Sequence, residues 1–247
     1  MDVILPALDH LPLAGTLTEP QGPVRGAVLI GSATGVPRRF YGAFADYLAE
    51  GGLAVLSFDY RGIGGSLRGP LRESDATMHA WGEQDLAGAL RFLGQRHAGT
   101  PLLLVGHSAG GQLFGLLPEP NQVRAVLTVG AQNGYWGNWR GAGRLRMLFC
   151  WTVLFPALTR ALGYLPLSTL TGGGEDVPPG VALEWSTWGR DPEYVLSYAR
   201  RKDGARGYTS FAGRLRAYAL ADDSHAPRAA VQALLGFYPA ASRALLY

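Results

Sequence analysis

The stretch VGHSAGGQLFG at 105–115 holds the residue of this sequence whose setting best suits nucleophilic chemistry. It places Ser108 in a G-x-S-x-G frame directly after an apolar run at 102–105. A serine hydroxyl is a weak nucleophile until a neighbouring base takes its proton. A strand that leads into this frame and a helix that leads out of it would present the hydroxyl at the carboxyl end of a sheet. The stretch therefore predicts catalysis through Ser108, the other interpretation being a glycine-rich turn without chemistry.

The small residues around Ser108 fit the same interpretation. Gly106 and Gly110 are expected to be required because strand and helix backbones approach too closely at such a turn for a Cβ atom. A helix that begins near Ala109 leaves the Ala109 N–H free at the positive end of the helix dipole. Such an amide can stabilise the oxyanion that forms when a serine attacks a carbonyl. Ala109 is thus a predicted oxyanion donor.

The elements that must position Ser108 follow from hydrophobic periodicity. Short apolar runs alternate with segments of helical period, which predicts buried strands joined by helices. The predicted strands lie at 26–30, 53–58, 101–105, 123–129, 215–220 and 244–247. Such a pattern is typical of a parallel sheet covered on both faces, so the predicted fold class is α/β, mostly parallel and doubly wound. The alternating segment at 1–20 predicts an antiparallel pair of strands ahead of that sheet.

Two of the predicted helices have faces that can be tested residue by residue. The first is assigned an apolar face of Phe40, Phe44, Tyr47 and Leu48, at spacings i, i+4, i+7 and i+8. The second is assigned Leu86, Ala89, Leu90 and Leu93. Both patterns match one side of an amphipathic helix, so these residues are expected to face the sheet.

The alternation of strands and helices breaks between residues 132 and 205. This segment, called the insertion below, contains five of the six tryptophans: Trp136, Trp139, Trp151, Trp185 and Trp188. We predict that the insertion is a helical subdomain over one edge of the sheet, and that residues 1–131 and 206–247 form the core. The alternative is an ordinary helical extension packed with aromatic side chains.

Three motifs together resemble the α/β-hydrolase superfamily, in particular bacterial serine hydrolases with a cap domain. They are the frame around Ser108, DYRGIGGS at 59–66 and GSATGV at 31–36. The resemblance implies that Asp59 and Arg61 lock a tight turn near the site, and that the insertion is the cap. It also implies a second oxyanion donor, the backbone N–H of Ala33, with Thr34 as the alternative.

The same resemblance implies a catalytic acid after the insertion, in AYALADDSHAP at 217–227. Relatives often carry the acid four residues before a proline, which favours Asp223 over Asp222 because the proline here is Pro227. The acid would hold the imidazole of the base in its correct tautomer and stabilise its cation. The other interpretation of the aspartate pair is a cap for the following helix.

No residue is predicted to be well placed to take the proton of Ser108. Four of the five histidines, His10, His79, His97 and His107, are expected to be structural or on the surface. His225 follows Asp223 by only two residues, too close for an Asp–His–Ser line, and is kept as a substitute base. The resembled subgroup supplies the base from a Gly-His-Phe-Gly-Phe-Phe type run after the last strand. We therefore interpret the sequence as a truncated reading frame or a natural short form. Its last strand would then be an exposed sheet edge, which can pair with a second chain and predicts a homodimer.

Two functions from different classes follow. The first is hydrolysis of a carboxylic ester through Ser108, impaired in this chain by the missing histidine. The second is a non-catalytic module that binds an apolar small molecule under the insertion. No nucleic-acid partner is expected, because the net charge of +3 comes from scattered arginines and not from a basic stripe. No metal is expected, since no His, Asp and Glu cluster shows ligand spacing, and no other cofactor is expected.

Composition adds expectations about the cellular setting. The single cysteine, Cys150, excludes an internal disulfide and fits a reducing compartment, which favours a cytoplasmic location. The most apolar segment, at 147–158, is short against the roughly 20 residues that span a bilayer. Stable membrane insertion is therefore not expected.

Overall fold

The computed structural model describes all 247 residues, and its centre is one eight-stranded sheet. The strands are β1 (Asp2–Pro6), β2 (Pro12–Thr18), β3 (Gly26–Gly31), β4 (Leu53–Phe58), β5 (Leu102–His107), β6 (Val123–Val129), β7 (Arg214–Tyr218) and β8 (Ser242–Leu246). Their order in the sheet is β1-β2-β4-β3-β5-β6-β7-β8. β2 runs antiparallel to β1 and β4, and every other pair is parallel. The predicted α/β class and the antiparallel N-terminal pair are confirmed.

Helices of different length connect the strands. They are α1 (Gly42–Glu50), α2 (residues 78–96), α3 (Ala109–Gln112, continued as a 3₁₀ turn at Leu113–Leu116), α4 (Gly141–Leu162), α5 (Leu167–Thr171), α6 (Pro179–Gly189), α7 (Val195–Asp203), α8 (Arg206–Ser210) and α9 (Arg228–Leu235). Two of them contain a π-helical stretch, α2 at Trp81–Leu86 and α4 at Cys150–Leu154.

Successive side chains of the central strands enter two different hydrophobic clusters. Val28 and Ile30 of β3 pack in a small cluster with residues of α1. Leu29, between them, belongs to the large core cluster that also contains the apolar residues of α2. Because side chains alternate across a strand, this division means that α1 and α2 cover opposite faces of the sheet. The doubly wound arrangement is thereby accounted for.

The predicted face of α1 is wrong for Phe40, Phe44 and Tyr47 but right for Leu48, which packs against the small cluster, and the predicted face of α2 is confirmed. Phe40 and Tyr47 are 69% and 68% exposed, and Phe44 is 40% exposed. The residues that face the sheet are instead Tyr41, Ala45 and Ala49, shifted by one position. Small alanines let the helix backbone approach the sheet, so the largest apolar side chains of this segment do not mark its buried side. In α2, the four predicted side chains, Leu86, Ala89, Leu90 and Leu93, are fully buried.

The insertion lies between β6 and β7 and folds mainly as helices α4 to α7. Its aromatic side chains pack against one another: the Trp151 ring lies 4.9 Å from that of Trp185 and 5.2 Å from that of Phe155. The Trp151 indole N–H also donates to the carbonyl of Gly134 at 3.0 Å. The insertion is therefore packed around a tryptophan core, and its predicted role as a cap stays a prediction.

Helix α4 is longer than the apolar segment that the sequence shows at 147–158. It runs over 22 residues, and by length and composition it is the one helix that could cross a membrane. The helix therefore extends beyond the apolar segment at both ends, and the expectation that the chain does not insert stably into a membrane stays a prediction. Only 22% of its most apolar 18-residue stretch is buried. Trp151 and Phe155 are among the buried residues of this helix.

Strand β8 has a neighbour on one side only. It pairs with β7 in parallel, and it stands at the end of the strand order. An exposed strand edge offers unpaired N–H and C=O groups to another chain. The homodimer expected through this edge stays a prediction.

A histidine and a carboxylate join the core to the insertion. His79, at the start of α2, has its Nδ1 2.9 Å from Oε1 of Glu184 in α6, and its backbone N–H donates to the same carboxylate. The His79 ring stacks on Tyr198 of α7. The Glu184 carboxylate is the main reason why the pKa of His79 is raised, with burial opposing it and Glu83 and Lys202 as the other nearby charges.

This pair makes a pH-dependent contribution to stability. A histidine whose pKa is higher in the folded chain stabilises the fold below its unfolded pKa of about 6.5, and this stability is lost as the pH rises through the folded pKa. We expect His79→Gln to lower the free energy of unfolding by about 0.5–1 kcal/mol at acidic pH and by less at alkaline pH. Urea unfolding of the unchanged chain and of His79→Gln, at one acidic and one alkaline pH, measures this difference in the free energy of unfolding. Glu184→Gln should remove the same pH dependence. A pH-independent difference would contradict the prediction.

Candidate active site

Ser108 lies on a sharp turn between β5 and α3. Its backbone has φ 47° and ψ −112°, an unusual conformation for a residue with a side chain. Such a backbone costs of order 1–3 kcal/mol and persists only where the surroundings impose it. Here the Ser108 N–H donates to the Val129 carbonyl at 2.9 Å, and the Ser108 carbonyl accepts from Gly111 and Gln112. The turn is thus held by backbone bonds on both sides.

The glycines of the frame are required by close backbone contacts, as predicted. A Cβ atom on Gly106 would lie 2.5 Å from the Cα of Gly111. One on Gly110 would lie 2.1 Å from the carbonyl oxygen of Gly31, at the end of β3. Both contacts are with backbone atoms, which cannot turn away. The first turn of α3 therefore packs directly against the neighbouring strand end.

Ala109 offers an unbonded amide at this turn. The next three amides are engaged: Gly110 N–H donates to Ser32 O at 3.0 Å, and those of Gly111 and Gln112 donate to Ser108 O. The Ala109 N–H has no hydrogen-bond partner in the chain. It is adjacent to the Ser108 side chain, as an oxyanion donor has to be.

The amide of Ala33, the second predicted oxyanion donor, is already hydrogen-bonded. It donates to the phenol oxygen of Tyr41 at 2.9 Å, and this oxygen lies 3.0 Å from Nδ1 of His107. Burial raises the pKa of Tyr41 to about 12. Burial also lowers the pKa of His107, against the opposing effect of the Asp223 charge. The phenol thus stays protonated and the imidazole neutral at pH 7. Thr34, the alternative donor, has its hydroxyl buried without a partner.

Asp59 and Arg61 fix the neighbouring turn by separate contacts. The Asp59 carboxylate accepts from the Gly65 N–H at 2.9 Å and forms an ion pair with Arg38. Arg61 reaches away from that turn and forms ion pairs with Asp85 of α2, at 2.6 Å, and Asp9, at 2.8 Å. Asp59 therefore stabilises the turn itself, and Arg61 attaches the turn to α2 and to the segment around Asp9.

Asp223 lies on the segment 219–227 between β7 and α9, called the acid loop below. Its Oδ1 accepts from the backbone N–H groups of His225 at 2.8 Å and Ala226 at 3.0 Å. Its Oδ2 faces Gly130, the residue after β6, at a distance of 3.4 Å from where a Cβ would stand. Asp222 is exposed and forms no side-chain bond. Asp223 thus caps a turn of the loop and not the helix, with one oxygen directed towards the sheet.

A buried hydrogen-bond network connects α3, the acid loop and the insertion. The Tyr194 hydroxyl donates to Oε1 of Gln112 at 2.9 Å, Gln112 Nε2 donates to Oε1 of Gln132 at 2.9 Å, and Gln132 Nε2 donates to the His225 carbonyl at 3.3 Å. From the insertion, the Trp139 indole N–H donates to the Ser224 carbonyl at 2.9 Å. The acid loop is therefore held in place from two sides.

Tyr41, Gln112 and Gln132 were not predicted from the sequence. Two signals were present: a glutamine among the apolar residues of AGGQLFG, and a second one three residues after the end of β6. A polar side chain in such a position has to find a partner when it is buried.

The structure does not place a base beside Ser108. The Ser108 hydroxyl forms no hydrogen bond within the chain. The His225 side chain is 77% exposed, and its Nδ1 lies 3.9 Å from Oδ1 of Asp223. Nδ1 of His107 is hydrogen-bonded to the Tyr41 hydroxyl, and Nδ1 of His79 is hydrogen-bonded to the Glu184 carboxylate. The chain also has no group of three or more His, Cys, Asp or Glu side chains that could hold a metal ion.

Comparison with known proteins gives the family. The model of the serine aminopeptidase S33 hydrolases matches residues 17–169, which is more than half of the chain and includes the turn at Ser108. The chain belongs to this family. The resemblance of the three motifs to the α/β-hydrolase superfamily is thereby confirmed. Asp223 and the acid loop lie outside the matched residues. A search of curated protein sequences found no match.

Solved structures share the fold of this S33 family member at low sequence identity. An esterase from Exiguobacterium antarcticum is 15% identical, with a TM-score of 0.61 over 100% of this chain and 91% of the other. A soluble variant of the monoglyceride lipase from Saccharomyces cerevisiae, in complex with a substrate analog, is 15% identical, with a TM-score of 0.65 over 98% and 86%. A carboxyl esterase from Bacillus coagulans is 11% identical, with a TM-score of 0.63 over 99% and 89%. These similarities confirm the α/β-hydrolase fold.

Proposed function

We propose that the protein is a serine hydrolase that acts on carboxylic esters. The observation that carries the proposal is the turn at Ser108: a strained serine beside an unbonded amide, at the carboxyl end of a parallel sheet. Strained backbone of this kind concentrates at functional sites. The similarity to an esterase, a carboxyl esterase and a monoglyceride lipase supports the ester as the substrate class.

The reaction follows from the groups at the turn. The Ser108 oxygen attacks the ester carbonyl, a C–O bond forms, and the proton of the hydroxyl passes to a base. The Ala109 N–H stabilises the oxyanion, the alcohol leaves with a proton, and water then hydrolyses the acyl-enzyme to the acid and free Ser108. Asp223 is the proposed acid, and His225 beside it is the histidine to test as the base. Ala33 contributes as a second donor once its N–H is released by Tyr41.

The side chains of the insertion support an apolar acyl group in the substrate. Every acidic side chain there already has a partner. Glu175 bonds to Gly64, Asp176 to Ser168, Glu184 to His79, Asp191 to the backbone of Glu193, Glu193 to Arg200, and Asp203 to the backbone of Ala205. Glu175, Glu184 and Glu193 face a cation or an imidazole, whereas Asp176, Asp191 and Asp203 accept only from neutral donors and keep their charge. The aromatic insertion favours an apolar acyl group.

One observation favours a second function. The Ser108 hydroxyl has no hydrogen-bond acceptor, so the site can bind a ligand without activating the serine. In this alternative, the protein is a module that holds an apolar small molecule under the insertion without turnover.

Covalent labelling with a fluorophosphonate probe separates the two functions. We expect the 247-residue chain to be labelled at Ser108, because an activated serine oxygen bonds to the phosphorus of the probe and displaces fluoride, whereas other serines stay unmodified. Ser108→Ala should remove the label. Ser224→Ala is the matched control, since this exposed hydroxyl lies on the acid loop and forms no side-chain bond, and it should keep the label. His225→Gln should reduce labelling if His225 is the base. A folded chain that stays unlabelled would overturn the hydrolase proposal and leave the binding module.

A further inference from the structure

The outer face of α4 exposes large apolar side chains in a regular row. Leu145 is 68% exposed, Phe149 52% and Val153 50%, at spacings of four residues along one helix. We call these three residues the α4 stripe. Singly exposed apolar side chains are ordinary on a protein surface, but an aligned row of them marks a contact surface. The opposite side of α4 is packed by Trp151 and Phe155, so the helix is already anchored in the fold.

The charges around the α4 stripe have one sign. Arg140, Arg144, Arg146 and Arg160 are all exposed on or next to α4, and none of them forms an ion pair. Arg144 stands over the Trp136 ring at 4.6 Å from its centre. No aspartate or glutamate occurs at 120–174. Arg144 and Arg146 lie immediately on either side of Leu145 in the sequence, so the positive charge flanks the apolar row.

We propose that α4 docks on the surface of an anionic lipid bilayer. An apolar row bordered by unpaired arginines is the pattern of a helix that lies in the interfacial plane, with its apolar side among the acyl chains and its cations at the headgroups. The charge argues for this occupant: an anionic surface attracts each arginine, whereas a neutral apolar partner would leave four unpaired cations unused. Because Trp151 and Phe155 hold the inner side of α4, the helix lies on the bilayer and does not cross it.

Helix α1 provides a matched control surface. It exposes Phe44 and Tyr47 to a similar degree, but it also carries Asp46 and Glu50 on its surface. Apolar exposure without a positive border should not bind an anionic bilayer, so α1 tests whether the charge pattern matters.

Co-sedimentation with lipid vesicles tests the docking. We expect the protein to bind vesicles that contain phosphatidylglycerol, and to bind vesicles of pure phosphatidylcholine much more weakly. The triple variant Leu145→Ser, Phe149→Ser, Val153→Ser should lower the partition coefficient about 100-fold. Arg144→Gln with Arg146→Gln should lower it roughly 25-fold on anionic vesicles only, and added salt should have the same effect.

Two controls keep the result interpretable. Phe44→Ser with Tyr47→Ser on α1 should leave vesicle binding unchanged, and all the substituted side chains are exposed, so thermal unfolding should confirm that each variant is folded. Ser108→Ala should bind like the unchanged protein, because docking does not depend on the proposed reaction. Absence of binding to anionic vesicles would overturn the proposal. A concentration-dependent dimer that the α4 variant abolishes would overturn it too, and would assign the stripe to a second copy of this chain.

Discussion

Gly110→Ala is expected to lower the free energy of unfolding by about 3 kcal/mol or more. The added methyl would stand 2.1 Å from the carbonyl oxygen of Gly31, far inside contact distance. Relief would need the first turn of α3 to move away from β3, and the Gly110 N–H bond to Ser32 would then be lost. Movement of α3 also moves the Ala109 amide, so labelling of Ser108 by the fluorophosphonate probe should fall with stability.

Urea unfolding measures this loss, and Gly42→Ala is its control. Gly42 begins α1, and no atom lies within 4 Å of a Cβ placed there. Its replacement should leave stability unchanged or raise it by up to about 1 kcal/mol, since alanine is the better helix former. A Gly110→Ala protein as stable as the unchanged chain would show that α3 and β3 can separate freely, against the contact described here.

Gln112→Leu has the second large expected effect. Leucine fills a similar volume, but it removes both the acceptor for the Tyr194 hydroxyl and the donor to Gln132. Tyr194 is fully buried, so its hydroxyl would lose its partner without gaining water. Each buried polar group left unpaired costs about 1–3 kcal/mol, and we expect a total loss of about 3 kcal/mol. If the acid loop shifts as well, labelling of Ser108 should slow by up to about 100-fold.

A double-mutant cycle with Gln132→Leu separates the network from simple packing. Because the two amides bond to each other, the losses of the single variants should not add, and a coupling free energy of about 1 kcal/mol or more is expected. Gln122→Leu is the matched control, since Gln122 is exposed and its side chain forms no hydrogen bond. Additive losses from Gln112→Leu and Gln132→Leu would contradict a connected network.

The strands and the turn at Ser108 could be predicted because their signals are local. A buried strand is a short apolar run, and the glycines of the frame stand next to the serine that they serve. The predicted strand ends were shifted: the strand predicted at 215–220 is Arg214–Tyr218, and that predicted at 244–247 is Ser242–Leu246. Local patterns do not fix where the last ladder bond forms.

The contacts that could not be predicted join distant parts of the chain. Tyr41 bonds to His107 over 66 positions, and Tyr194 to Gln112 over 82. Periodicity identifies a buried face but not the partner of a polar atom on it. The face of α1 was predicted wrongly for a related reason, since the ranking by hydrophobicity gave Phe40 and Tyr47 priority over Ala45 and Ala49. The π-helical stretches in α2 and α4 likewise have no simple sequence pattern.

The phenol of Tyr41 alters what the Ala33 amide can contribute to a reaction. A ligand oxygen that uses this amide exchanges one hydrogen bond for another, because the Ala33 N–H already donates to Tyr41. For the neutral carbonyl of an unreacted ester, this exchange of hydrogen bonds contributes almost no binding free energy. For a charged oxyanion, the exchange contributes the difference in free energy between a charge-assisted and a neutral hydrogen bond, about 1 kcal/mol. If Ala33 is an oxyanion donor as proposed, the Tyr41 phenol would therefore weaken its binding to the neutral ester while keeping its preference for the charged transition state.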